Sequence, residues 1–444
     1  MTVFPLRRPA RPRELPLPER LKHMDEERLR RYRENLDFYE GRQWPGRPRR
    51  GERRLTFNYA RAFADKITSY LLTGATLQIE ARDGASAEAR TRAREAERAF
   101  REVEYANGLA QLDFETELDC AVLGDAAYKV TWDPAEGQVR ITAPDVQGIF
   151  AWRVPDDPSR LVAVASQYRL DAEAPGGPAD RGVLVTEYWT PDSFELWHDN
   201  ERTERRPNPY GFIPFVIFPN FREPKQAWGS SDLPPLVESS RELNRAFSQL
   251  SQILELSGNP IAVLEGVTGS QDIAVEPGAV WEVPERAKAY LLDLLKDGGA
   301  SLHCDYIDLV YRTLHDLGES PRTAFGSNPQ GLSGVALNTE LDPVARKVER
   351  KRRVRTAVYE RRATMVLQLL ARFTGLDIEG LRPVMHWGPV LPADRSREVA
   401  DTRSLVETGV QSRRSAAAQL GADDPEAEWA RVLEERAALG ERDA

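Results

Sequence analysis

The segment from Gly229 to Leu337 constrains the fold most, because it holds two helical repeats separated by an insertion and closed by a polar loop. It opens Gly229-Ser230-Ser231-Asp232-Leu233-Pro234, a Ser or Asp cap followed by proline, which signals a helix start. Leu236, Leu243, Phe247, Leu250 and Leu254 then recur at the spacings of one buried helical face, and Ser257-Gly258-Asn259-Pro260 supplies the stop. The pattern predicts a helix over Pro234–Leu256, about 34 Å long at the ordinary helical rise. Two short apolar runs, Ile261–Leu264 and Gly278–Val283, read as a small β-containing insertion. Leu302, Tyr306, Leu309, Val310 and Leu314 predict a second helix ending at Leu317. The stretch from Ser320 to Gly334 is too rich in Gly, Pro and Ser for helix or core strand. Its length between two strong helices marks it as a candidate functional loop.

The flanks differ in texture. Residues 1–20 are rich in Pro and Arg and read as a disordered or extended arm. Helix patterns begin near Pro18, with Leu29, Tyr32, Leu36 and Tyr39 on one face, and continue over Asn58–Leu72, Ala85–Glu104 and Leu109–Leu123. After Gly124-Asp125 the runs Ala126–Trp132, Val139–Ala143, Gly148–Trp152, Leu161–Leu170, Leu184–Trp189 and Ser193–His198 favour strands separated by turns, an antiparallel meander. Beyond the polar loop a long helix is predicted over Val335–Phe373, with Pro343 kinking or restarting it and Gly375 ending it. From Gly334 to Thr374 it holds ten Lys or Arg against four Asp or Glu. That basic run has two readings: a solvated face or inter-subunit ion pairs, or contact with phosphate through residues such as Arg346, Lys347, Arg350, Lys351 and Arg353. Residues 393–444 suggest short helices with a frayed acidic end.

The tools of an enzyme are missing. The chain has no phosphate-cradling Gly-x-x-x-x-Gly-Lys loop, no dinucleotide glycine fingerprint and no His-Glu-x-x-His helix. His303-Cys304-Asp305 resembles a ligand cluster only on paper, since adjacent helical residues point in different directions. No cofactor and no metal are therefore expected. A net charge of −9 argues against a DNA-coating protein. Cys120 and Cys304 lack a spacing motif and read as two buried thiols in a reducing compartment. No apolar run is long enough for a membrane span and no signal peptide is visible, so synthesis inside the cell is expected.

Several stretches, taken in order, resemble the portal proteins of tailed bacteriophages, in the family typical of long, flexible-tailed phages. They are Tyr39-Glu40-Gly41-Arg42-Gln43, Phe57-Asn58-Tyr59-Ala60 and Asp65-Lys66-Ile67-Thr68-Ser69-Tyr70-Leu71-Leu72-Thr73-Gly74. Leu123-Gly124-Asp125-Ala126-Ala127-Tyr128 and Asn208-Pro209-Tyr210-Gly211-Phe212-Ile213-Pro214 follow, then Gly229–Leu233, Gly258-Asn259-Pro260 and Ser333-Gly334-Val335-Ala336-Leu337.

The resemblance implies an α+β, mainly helical portal fold with wing, stem, clip and crown. Residues 21–228 would form the wing, 229–260 and 299–318 the two stem helices, and 261–298 a small α/β clip. Residues 319–334 would be the tunnel loop, 335–392 the wing's long helix and following strand, and 393–444 the crown. It further implies a non-enzymatic, dodecameric ring at one capsid vertex of the virion, assembled in the host bacterial cytoplasm. Double-stranded DNA would pass Ser327, Asn328, Gln330, Leu332 and Ser333. Glu265, Gln271, Asp272, Glu276 and Trp281 of the clip would meet the terminase large subunit and a head-completion adaptor. Major capsid or scaffolding protein is the remaining implied partner. The alternatives are a nucleic-acid-processing enzyme of a mobile element and a different ring component of the head–tail junction.

Overall fold

A computed structural model describes residues 15–82, 86–171, 182–258, 262–265, 288–291, 299–326, 334–391, 395–422 and 425–439. With about 51% helix and 23% strand it is α+β, as the sequence predicts. The chain divides into two compact units, Met1–Trp387 and Gly388–Ala444.

In the first unit α1 (Leu17–Leu21), α2 (Glu26–Tyr39) and α3 (Tyr59–Leu71) lead to β1 (Ala75–Ala81). Two helices follow, α4 (Ala87–Ala106) and α5 (Leu109–Leu123). The strand-rich region begins with β2 (Asp125–Asp133), β3 (Gln138–Thr142), β4 (Ile149–Val154) and β5 (Asp157–Leu170). It closes with β6 (Val183–Trp189), β7 (Ser193–His198), β8 (Glu201–Pro207) and β9 (Phe215–Pro219). A 3-10 turn at Pro234–Leu236 opens α6 (Val237–Gly258), followed by β10 (Ala262–Glu265), β11 (Lys288–Leu291) and α7 (Gly299–Leu317). Then come α8 (Gly334–Glu340), α9 (Asp342–Thr374) and β12 (Leu381–Trp387).

The strands sort into a five-stranded meander β4-β5-β6-β7-β8 and a three-stranded sheet with β2 between β3 and β9. Two ribbons, β1-β12 and β10-β11, complete the pairing, and all of these pairs are antiparallel. Alternation of side chains sends Val164 and Trp189, partners in register, to the same buried face. One core joins the three-stranded sheet and the β1-β12 ribbon to α4 and α9 through Phe100, Tyr128, Phe218 and Leu369. A second packs α2 and α3 on the meander through Tyr32, Phe38, Val164 and Phe194. The long basic helix breaks at Leu341 and restarts as α9, where Pro343 sits in a first turn that needs no N–H from it.

The second unit holds α10 (Arg395–Glu407), α11 (Arg413–Gln419) and α12 (Pro425–Leu439). The Ser412 side chain accepts the Ser415 N–H to cap α11, and the Arg413 guanidinium lies 5.7 Å from the Trp429 ring centre.

Several expectations change. The arm, read as running to residue 20, ends earlier, since the helix signal near Pro18 is borne out by α1, where Pro18 and Leu21 are buried. β8 carries no apolar alternation, since every residue of it is exposed and its backbone pairing with β7 alone defines it. The first apolar run of the insertion is a strand, but its partner is Lys288–Leu291; Gly278–Val283 lies outside the described residues. Arg322–Phe325, inside the predicted loop, makes a 3-10 turn. Cys120 is buried as expected, whereas Cys304 is exposed on α7.

Candidate functional site

The two-helix module is a packed antiparallel pair. The ribbon β10-β11 joins the end of α6 to the start of α7, while Leu236, Leu243, Ala246, Ile307, Val310 and Leu314 share one core with Phe63 of α3. Tyr306 donates to Glu242 across the pair at 2.8 Å. At the ordinary rise, the 22 residues of α6 span about 33 Å. The segment around Gln43 and Phe57 also packs on α6, through Asn244, Phe247 and Ser248, while Leu254, Leu302 and Leu309 stay 53%, 72% and 60% exposed.

The start of this module is fixed by a crowded backbone joint. Gly124 ends α5 in the left-handed region at φ +111°, and a Cβ there would lie 3.0 Å from the Ser231 nitrogen. Gly229 leaves no room either, because its Cβ would meet Pro219, Gly124 and Phe221 at 2.5–2.8 Å. Ser231 donates to the Ala121 and Val122 carbonyls at the end of α5, and the Gly229 N–H reaches Asp125 at 2.8 Å. The two Ser231 bonds satisfy carbonyls that the end of α5 leaves over.

Asp232 is the charged centre of the joint. It is buried, 2.9 Å from Lys347 Nζ and in a shorter contact with Lys351 Nζ, and accepts from Asn220 at 3.3 Å. Burial pushes its carboxyl up, but Lys347 and Lys351 outweigh that and hold it well below the usual carboxylate range. Lys347 also donates to the Gly318 carbonyl at the end of α7, 3.1 Å away. One ammonium group thus touches both ends of the helix pair where they meet α9.

The same face of α9 continues the pattern. Arg355, fully buried, bonds Glu117 of α5 at 2.9 Å through both carboxylate oxygens and the Pro219 and Asn220 carbonyls at 2.6 and 3.0 Å. Tyr359 donates to Glu117 at 2.8 Å, and Arg362 pairs with Asp113. Arg352 donates to the Leu71 and Thr73 carbonyls, neutralising the end of α3. Residues 347, 351, 355 and 362 share one helical stripe, and each finds a carboxylate on another element.

The basic run is therefore not one solvated face. Lys347 and Lys351, expected to serve an interface or phosphate, are 4% and 1% exposed and engaged inside the chain. Arg346 and Arg350 lie outside but pair with Asp342 and Glu319, and Arg353 is exposed. Of the residues that complete the joint, Asp232 was read from sequence only as part of a helix-start signal, whereas it is the partner of Lys347 and Lys351; Glu117 and Asp113 were not singled out. The usable signal was the four-residue spacing of Lys347, Lys351 and Arg355 beside the apolar Val344, Val348 and Val358. Glu265 is exposed on β10 and accepts from Tyr290 at 3.3 Å. Ser327, Asn328, Gln330, Leu332 and Ser333 lie outside the described residues, as do Gln271, Asp272, Glu276 and Trp281.

No helix among the described residues is long and apolar enough to cross a membrane. No curated protein matches the chain. The family model described as phage portal protein, SPP1 Gp6-like, matches residues 19–441 of the 444, and the chain belongs to that family.

Proposed function

We propose that this portal protein works as a closed ring of identical subunits, a dodecamer, at the unique capsid vertex, through which double-stranded DNA enters and leaves. The observation that carries the ring is the helix pair, which leaves Leu254, Leu302 and Leu309 uncovered in the single chain. Leucines left in water on both helices of the pair are what a neighbouring subunit would cover. A ring closes through two different surfaces on each subunit, so one uncovered face must find a complementary patch on the next copy.

In this reading α6 and α7 form the stem, 261–298 the clip, 319–334 the tunnel loop, 393–444 the crown and the remaining helices and sheets the wing. The clip, with Glu265, Gln271, Asp272, Glu276 and Trp281, docks the terminase large subunit and later a head-completion adaptor, while the wing and crown meet capsid or scaffolding protein. Asn328, Gln330 and Ser333 face DNA as polar, uncharged groups. A conduit must let DNA slide, and lasting phosphate grip would oppose that, which suits a chain of net charge −9. Burial of Lys347 and Lys351 withdraws two cations that would otherwise add such grip. The packaging energy comes from the separate terminase, and the chain itself is not an enzyme.

Deleting Asn328–Ser333 tests the loop assignment. Rings should still assemble while DNA packaging stops; normal packaging by the deletion variant would refute it.

A further inference from the structure

The turn that leaves α7 is built against local backbone preference. Glu319 adopts φ +52°, a left-handed conformation uncommon outside glycine. Gly318 before it has no room for a side chain, since a Cβ would meet the Phe63 ring at 2.4 Å. Besides its backbone bonds, three side-chain contacts hold the turn. Lys347 Nζ donates to the Gly318 carbonyl at 3.1 Å, and His315 Nδ1 donates to the Ser320 carbonyl at 2.6 Å. Arg350 Nη2 sits on both carboxylate oxygens of Glu319, at 2.6 and 2.8 Å.

These contacts differ in their access to water. Lys347 and His315 are each 4% exposed, whereas the Arg350 and Glu319 side chains are 50% and 38% exposed. Screening by salt acts strongly on the exposed pair and weakly on the buried contacts. A backbone in a sparsely populated conformation persists only where its surroundings over-determine it.

We propose that Gly318–Gly326 is a two-part latch. Lys347 and His315 form an inner half, insensitive to salt, that fixes the end of α7. The Arg350–Glu319 pair forms an outer half that opens when its charges are screened. On opening, Glu319 leaves the left-handed region while Gly318 stays bonded to Leu314 and Lys347. The latch belongs to the single chain, so it stands or falls separately from the ring and from the assignment of any segment to DNA.

Hydrogen exchange on the full-length protein tests it, read at the amides of Glu319, Ser320, Ala324 and Gly326, which bond to the Asp316, His315, Pro321 and Thr323 carbonyls. The wild type, Arg350→Met and Arg350→Lys are compared at about 0.01 M and about 1 M salt, between which the screening length drops from about 30 Å to about 3 Å. At low salt Arg350→Met should speed exchange of these amides roughly two- to fivefold, the change an exposed ion pair supports. High salt should bring the wild type to the same rate and leave Arg350→Met unmoved, while Arg350→Lys keeps part of the protection. Exchange in Arg350→Met equal to the wild type at low salt would overturn the latch. Equal acceleration of both proteins by salt would overturn it as well.

Discussion

Asp232 faces two buried ammonium groups, and that arrangement makes it a sensitive residue of the fold. Removing one partner of a buried charge cluster leaves the others in low dielectric without compensation, which costs about 3–5 kcal/mol. Asp232→Asn should therefore lower unfolding free energy by roughly that amount in urea titrations. Lys351→Met should cost much less, because Asp232 keeps Lys347 at 2.9 Å. Equal losses in the two variants would contradict this assignment. Because the two lysines hold the Asp232 carboxyl low, its contribution is present above the ordinary carboxylate range and is lost as pH falls through the depressed folded value.

Asp125 behaves in the opposite way. Burial pushes its carboxyl from 3.8 up to about 6, against hydrogen bonds from Tyr32 and Gly229 that favour the charged form. Between those values the folded chain keeps a proton that the unfolded chain has released. Its contribution to stability is thus full below about 4 and fades as pH rises to about 6. Asp125→Asn should remove about 1–3 kcal/mol of that decline. Unfolding measured at a series of pH values checks it, and an unchanged slope between those limits would be the contrary result.

At the scale of elements, the fold turns on the joint between α5, β2 and the start of α6. Gly229 is walled in by backbone from two sides, so Gly229→Ala must push strands apart and should cost about 1–3 kcal/mol or more. A thermal midpoint within a degree or two of the wild type would show that the joint has slack. Much of this level was legible in the sequence. The helical periods of α6, α7 and α9, the restart at Pro343 and the stop at Gly375 all follow from residues close in the chain. The strands were legible where inward positions are apolar, as at Val164 and Trp189, but the single meander expected from Ala126 to His198 is two sheets, because β9 pairs with β2 and closes a separate one. β8 was not, because all its side chains face water and only pairing with β7 makes it a strand. Nor was the burial of the basic stripe, since Lys351 and Arg355 find Asp232 and Glu117 119 and 238 residues away. Local charge density reads as a solvated face until such partners are placed.

At the scale of the whole molecule, the chain belongs to the portal family, and the proposed ring would cover the exposed leucines of the helix pair with a neighbouring subunit. Leu302→Asp combined with Leu309→Asp should abolish ring assembly while leaving the thermal midpoint of the single chain nearly unchanged. Both side chains are mostly exposed there already, at 72% and 60%. Light scattering and calorimetry separate the two effects. Rings that form normally from the double variant would remove this face from the subunit interface. Particle imaging of the purified chain at low and high salt tests the ring. Closed rings with a central channel are expected, and a monodisperse monomer at every salt concentration would rule the ring out.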